Sequence, residues 1–328
     1  MSARETQYKW RVVIRRGMFG VLVCVLLVLC WLAASIFEWR SGQRVWPWSA
    51  YALCGTSMPA TLPETVRIGL YEEFPVPWRL DKLQQVDFPV TLAIAAHSRA
   101  EFEGLRKSVL QDYPQVREVY FWPLLSHEEG YYPGGWSDTD GIRRIAAEAE
   151  GMPVLWDLEM PLGQSEPSFG DWWQNRAFLD EWLDQRTEVV HVWRSHIFMG
   201  LNPLFLRLAA MHYDPHDYPV VSLQLNLYMT GSGLPSDETA RILRCGVERY
   251  GERFVPALGV LNDGEGPEHV FVPVKTLRRN LELAREAGVA EVWLFGVNGL
   301  SEEYLSVLQE TLPLEPLSAE RNSYPAAR

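Results

Sequence analysis

The chain has 328 residues, 47% of them apolar, enough for one large domain or two ordinary ones with a sizeable core. Its formal net charge of −12 argues against a phosphate-binding surface, and with it a nucleic-acid partner. Four cysteines, at 24, 30, 54 and 245, show no CxxC pair and no Cys/His spacing for zinc, so neither metal nor cofactor is expected.

At the N-terminus, residues 1–16 are basic, with Lys9, Arg11, Arg15 and Arg16. Residues 17–37, "GMFGVLVCVLLVLCWLAASIF", form an uncharged apolar run of membrane-spanning length. The positive-inside rule leaves the N-terminus cytoplasmic and exports the rest. Ala33, Ala34 and Ser35 would suit signal cleavage, but the long basic segment and the length of the run favour a retained single-pass anchor. Residues 38–65, rich in Trp, Pro, Ser and Thr, read as an interfacial belt and linker. The expected place of the remainder is therefore periplasmic or extracellular, where Cys54 and Cys245 have the opportunity to form a disulfide.

From residue 66 one pattern recurs. Short apolar or β-branched runs occur at 66–74, 89–97, 116–124, 152–159, 188–196, 219–228, 253–263 and 290–298. Helix-like segments lie between them. Residues 98–113 open on Ser98 as an N-cap, 137–151 end on Gly151, and 235–252 and 273–288 carry helical apolar spacing. Strand starts fall about 23–37 residues apart, the scale of one βα unit. Eight such units over 66–315, followed by a polar tail at 316–328, predict an α/β protein: a (β/α)8 TIM barrel behind an N-terminal transmembrane helix. A doubly wound sheet is disfavoured, because "LYEEFP" after the first strand is no glycine-rich phosphate loop.

Barrel enzymes place their chemistry at the C-terminal ends of the strands. Those ends offer Glu73 on the first strand, Tyr120 and Trp122 on the third, and Asp157 and Glu159 on the fourth. They continue with His191 and Trp193 on the fifth, Gln224, Asn226 and Tyr228 on the sixth, Asp263 on the seventh and Trp293 on the eighth. In "SLQLNLY" the leucines face the helices, so Gln224, Asn226 and Tyr228 line the interior. Buried amides and acids are costly without partners. Either they form a closed polar network or they meet a ligand.

Carboxylates, amides and aromatic walls together suit carbohydrate. Indoles stack on sugar C–H faces, amides read hydroxyls, and cleavage of a glycosidic bond needs a carboxylic acid to protonate the leaving oxygen. Asp157-x-Glu159 on strand four, with Tyr228 and Trp293, resembles the chitinase-type glycoside hydrolases of family 18. That resemblance implies Glu159 as general acid, Asp157 and Tyr228 as catalytic partners that orient an acetamido group, and Trp293 as a subsite floor. Met152 and Leu155 stand where the family's longer motif has aspartates. The expectation is a membrane-anchored glycoside hydrolase acting on an envelope or extracellular polysaccharide. Glu73, Tyr120, Trp122, His191, Trp193, Gln224, Asn226, Asp263 and Trp293 are its expected substrate contacts. The competing readings are a non-catalytic glycan-binding barrel, a metal-dependent hydrolase on the same fold, and a two-carboxylate glycosidase pairing Glu159 with Glu73 or Asp263.

Overall fold

The computed structural model describes residues 62–159, 169–195, 210, 212–227, 235–260 and 272–317. The apolar run at 17–37, most of the linker and most of the tail lie outside them. Among the described residues no helix is long and apolar enough to cross a membrane.

Eight parallel strands close on themselves in chain order. They are β1 (Arg67–Glu72), β2 (Val90–Ala96), β3 (Val116–Pro123), β4 (Val154–Asp157), β5 (Val190–Ser195), β6 (Val221–Asn226), β7 (Phe254–Val260) and β8 (Glu291–Phe295). β1 pairs with β2 on one side and β8 on the other, which completes the cylinder. The expected (β/α)8 barrel is thus present.

Around it run α1 (Pro77–Leu80), α2 (Arg99–Asp112), α3 (Thr139–Glu148), α4 (Phe169–Gln185), α5 (Ser236–Tyr250), α6 (Val274–Glu286) and α7 (Glu302–Thr311). Their ends follow local chemistry. Ser98 caps α2 by accepting the Glu101 N–H, and Asp138 caps α3 by accepting that of Gly141. Gly251 and Gly288 follow α5 and α6 with φ of 58° and 78°, a conformation that costs glycine least. In α5, Cys245 is disulfide-bonded; the other three cysteines lie outside the described residues.

Two apolar shells result. Alternate strand residues face the helices: Phe121 packs on Phe102 of α2, with ring centroids 4.9 Å apart, and Trp156 packs on Trp182 of α4 at 4.5 Å. The others fill the barrel. Tyr120, His191 and Trp293 come from β3, β5 and β8, strands that are not neighbours, yet their rings meet at 4.9–5.7 Å. Such contacts exist only across the interior. Gly69 is needed here, because a Cβ on it would lie 2.1 Å from the Trp293 indole.

Candidate active site

Strand register decides which polar side chains share the interior. Asp157 stands opposite Trp193, and His191, Trp193 and Ser195 stand opposite Ser222, Gln224 and Asn226. Cross-strand partners point the same way, so Asp157, Gln224 and Asn226 face inward with His191. Leu223 and Leu225 take the other face and are fully buried, as the alternation in strand six predicts. Gln224 and Asn226 are 0% exposed. Among the described residues, neither polar atom of the Gln224 amide has a hydrogen-bond partner, nor do His191 Nδ1, Trp122 Nε1 and Asp157 Oδ1.

Below this layer the barrel floor is paired. Arg67 donates from Nε and Nη2 to Glu291 Oε2 at 3.0 and 2.8 Å, and Trp293 Nε1 donates to Glu291 Oε1 at 2.5 Å. Trp293, expected as a subsite floor, is fully buried between Tyr71, Tyr120 and His191.

At the mouth the acids gather. Glu73 follows the last residue of β1, and Glu159 lies two residues beyond β4, one turn of the alternation above Asp157. Burial raises the Glu159 carboxyl to about 7, and the charge of Glu73 adds to the rise. Asp157, inside the barrel, is pushed well above the carboxylate range by burial, then by Glu159 and Glu73. Its carboxylate accepts the backbone N–H of Glu159, which opposes the rise and fixes the chain that carries Glu159. Glu73 is also raised by burial, but the Tyr131 and Tyr132 hydroxyls donate to its Oε1 at 2.7 and 3.4 Å, and Arg79 lowers it further. Of the three acids it is the one best supplied with donors, which favours its ionised form.

Both tyrosines come from the loop after β3, and sequence reasoning passed over them. The loop is held by its own chemistry. Glu129 accepts the Ser126 N–H through its carboxylate, pairs with Arg144 at 2.8 Å and accepts the Asp138 N–H at its carbonyl. Tyr131 has φ of 64°, a strained value for a side-chain-bearing residue, locked by hydrogen bonds to Ser126 and Leu125 and by His127 stacked on its ring at 4.8 Å. The loop then wedges against β4, which meets β3 at a single pair, Phe121 with Val154. Trp156 Nε1 donates to Pro133 O at 2.9 Å, and a Cβ on Gly134 would fall 2.0 Å from the Glu159 carbonyl. Only glycine permits that approach. The signal in the sequence is "GYYPGG", residues 130–135, a turn-forming run carrying two tyrosines.

The structure thus brings Glu73, Asp157 and Glu159 together at one end, with Trp122, His191, Gln224 and Asn226 along the interior beneath. Tyr120 and Trp293 are part of the buried stack. Tyr228, Asp263 and the side chain of Trp193 lie outside the described residues. Among those described, no group of three or more His, Cys, Asp and Glu side chains could hold a metal ion.

No protein-family model matches the sequence, and no curated protein does. Solved structures with a similar fold include a chitinase from Chromobacterium violaceum, with 11% identity, a TM-score of 0.46 and coverage of 75% of this chain and 98% of that one. The spore cortex-lytic enzyme SleL of Bacillus megaterium gives 12%, 0.48, 77% and 75%. A broad-specificity endoglucanase from Bacteroides salanitronis gives 9%, 0.43, 80% and 90%. At these values they say no more than the closed barrel already does, and the chemistry has to be read from this chain's own side chains.

Proposed function

We propose that the barrel hydrolyses glycosidic bonds, with Glu159 as general acid and Glu73 as the anion facing the developing positive charge. The observation that carries this reading is a cluster of three carboxyl groups at the C-terminal mouth, arranged so that one keeps its proton to about pH 7 while another is hydrogen-bonded by two tyrosines. Two acids whose surroundings push them apart are what acid-assisted glycoside cleavage requires. Glu159 gives its proton to the glycosidic oxygen as the bond to the anomeric carbon breaks and its electron pair goes to that oxygen. The carboxylate of Glu73 stabilises the oxocarbenium-like centre. Water adds there and its proton returns to Glu159. Asp157 holds the Glu159 backbone, and its Oδ1 is left to accept from a substrate N–H or O–H.

The N-terminal basic segment and apolar run support a barrel tethered outside the cytoplasmic membrane, and the disulfide at Cys245 supports an oxidising compartment. An envelope or extracellular polysaccharide is then the substrate within reach.

The test is a screen of envelope and chitin-like oligosaccharides for newly released reducing ends, followed by Glu159→Gln. This variant keeps the shape and loses the transferable proton, so turnover falls by roughly 10²–10⁴-fold with binding kept. Turnover at the wild-type rate removes Glu159 from the mechanism. Binding without cleavage by the wild type makes the barrel a glycan-binding module.

A further inference from the structure

The segment next to Glu73 carries exposed aromatic side chains with no place in the acid chemistry. In "EFPVPWR", residues 73–79, Phe74 is 53% exposed, Val76 40% and Trp78 48%. Single exposed apolar residues need no explanation, but three within five positions beside an active-site acid do. They are also held in place. Glu72, 1% exposed, accepts the Phe74 backbone N–H at 2.9 Å and an Arg79 Nη1 hydrogen at 3.5 Å. The Arg79 guanidinium lies over both rings, 5.4 Å from the centre of Phe74 and 5.0 Å from that of Trp78. Pro75 and Pro77 fix φ on either side of Val76. A buried carboxylate thus anchors an arginine, and the arginine braces two aromatic rings at the rim of the mouth.

Resting on the glycosidase reading above, we propose that Phe74 and Trp78 form a stacking platform for sugar rings beyond the unit held at the acids, and that the substrate is an uncharged polymer bound across several units. Flat, preorganised aromatic faces suit the C–H faces of pyranose rings and cost little entropy on binding. The platform adjoins the mouth, because Arg79, which braces both rings, also acts on the Glu73 carboxyl. Arg79 presents little positive charge to an anionic chain, because its side chain is largely buried against Glu72 and the two rings. The acids at the mouth and the net charge of −12 repel such a chain.

The experiment uses the full chain in detergent and neutral oligosaccharides of two and six units. The panel covers β-1,4-linked N-acetylglucosamine, glucose, mannose and xylose, and β-1,3-linked glucose. Binding is followed by calorimetry on Glu159→Gln, with Trp78→Ala and Trp78→Phe added to that background. A hexasaccharide that binds is expected to lose about tenfold in affinity with Trp78→Ala, the scale of one aromatic anchor. Trp78→Phe restores most of it, and the disaccharide is unaffected. Cleavage by the wild type with equal hexasaccharide binding in Glu159→Gln and its Trp78→Ala derivative overturns the platform and leaves the glycosidase reading standing. Length-dependent binding without cleavage by the wild type does the reverse. If no hexasaccharide of the panel binds, the platform is wrong.

Discussion

The two ends of this barrel both bury acids, and they treat them in opposite ways. At the floor, Glu291 receives two hydrogens from Arg67 and one from Trp293. At the mouth, the charges of Glu73 and Glu159 raise Asp157 and that of Glu73 raises Glu159, while Arg79, whose charge lowers Glu73, is itself paired with Glu72. Burying a charge without a partner is expensive, and the group responds by keeping its proton. The floor spends its acid on holding β1 to β8. The mouth tolerates a standing cost, the arrangement on which the proposed proton transfer draws.

The largest effect that could break this contrast concerns Trp293, which packs in the floor stack. Trp293→Ala removes a fully buried indole and is expected to cost about 3–5 kcal/mol of unfolding free energy in a denaturant titration. Unchanged stability with lost glycan binding would place Trp293 with the mouth, as a subsite floor.

Next in size is Glu72, whose carboxyl is raised to about 7, chiefly by burial. Its folded value exceeds its unfolded one, so the native state binds more protons between roughly pH 4.5 and 7, and stability falls as pH rises through that window. For a shift of this size the contribution is of order 3 kcal/mol. Glu72→Gln should flatten that fall, and an unchanged stability profile would show that Arg79 already keeps the carboxyl ionised.

Smallest is Tyr131→Phe. Losing one hydroxyl donor leaves Glu73 harder to ionise, so the acid-side limb of the pH–rate profile moves up by less than about one unit, the scale of a single neutral hydrogen bond. A limb that stays in place would mean Tyr131 does not support Glu73.

Much of this architecture was legible before any coordinates. The eight strands announce themselves by apolar runs at regular spacing, and the alternation of leucines with Gln224 and Asn226 gives their inward face correctly. Ser98 opens a helix and Gly151 lies just past the end of another, for reasons local to the backbone. Helix α4 was not legible, because Phe169, Trp172, Trp173, Phe178 and Trp182 spread apolar surface around it and blur the helical period. Nor were Tyr131 and Tyr132. Their route to Glu73 depends on a left-handed tyrosine and on a glycine pressed against the Glu159 carbonyl, contacts between segments that no periodicity encodes. Asp157 and Glu159 were found as a pair, whereas the two hydroxyl donors that set Glu73 apart came only with the loop that carries them.

The most direct test needs no substrate. With carboxyl-¹³C-labelled glutamate, the Glu159 resonance is assigned by its absence in Glu159→Gln and followed from pH 3 to 9. The mouth is expected to hold that proton to about pH 7, and in Glu73→Gln the midpoint should move down, because a neighbouring negative charge has been removed. A Glu159 that ionises near 4.5, the ordinary value for a glutamate, and ignores Glu73→Gln would contradict the account, since the mouth would then carry no acid able to protonate a leaving group at neutral pH.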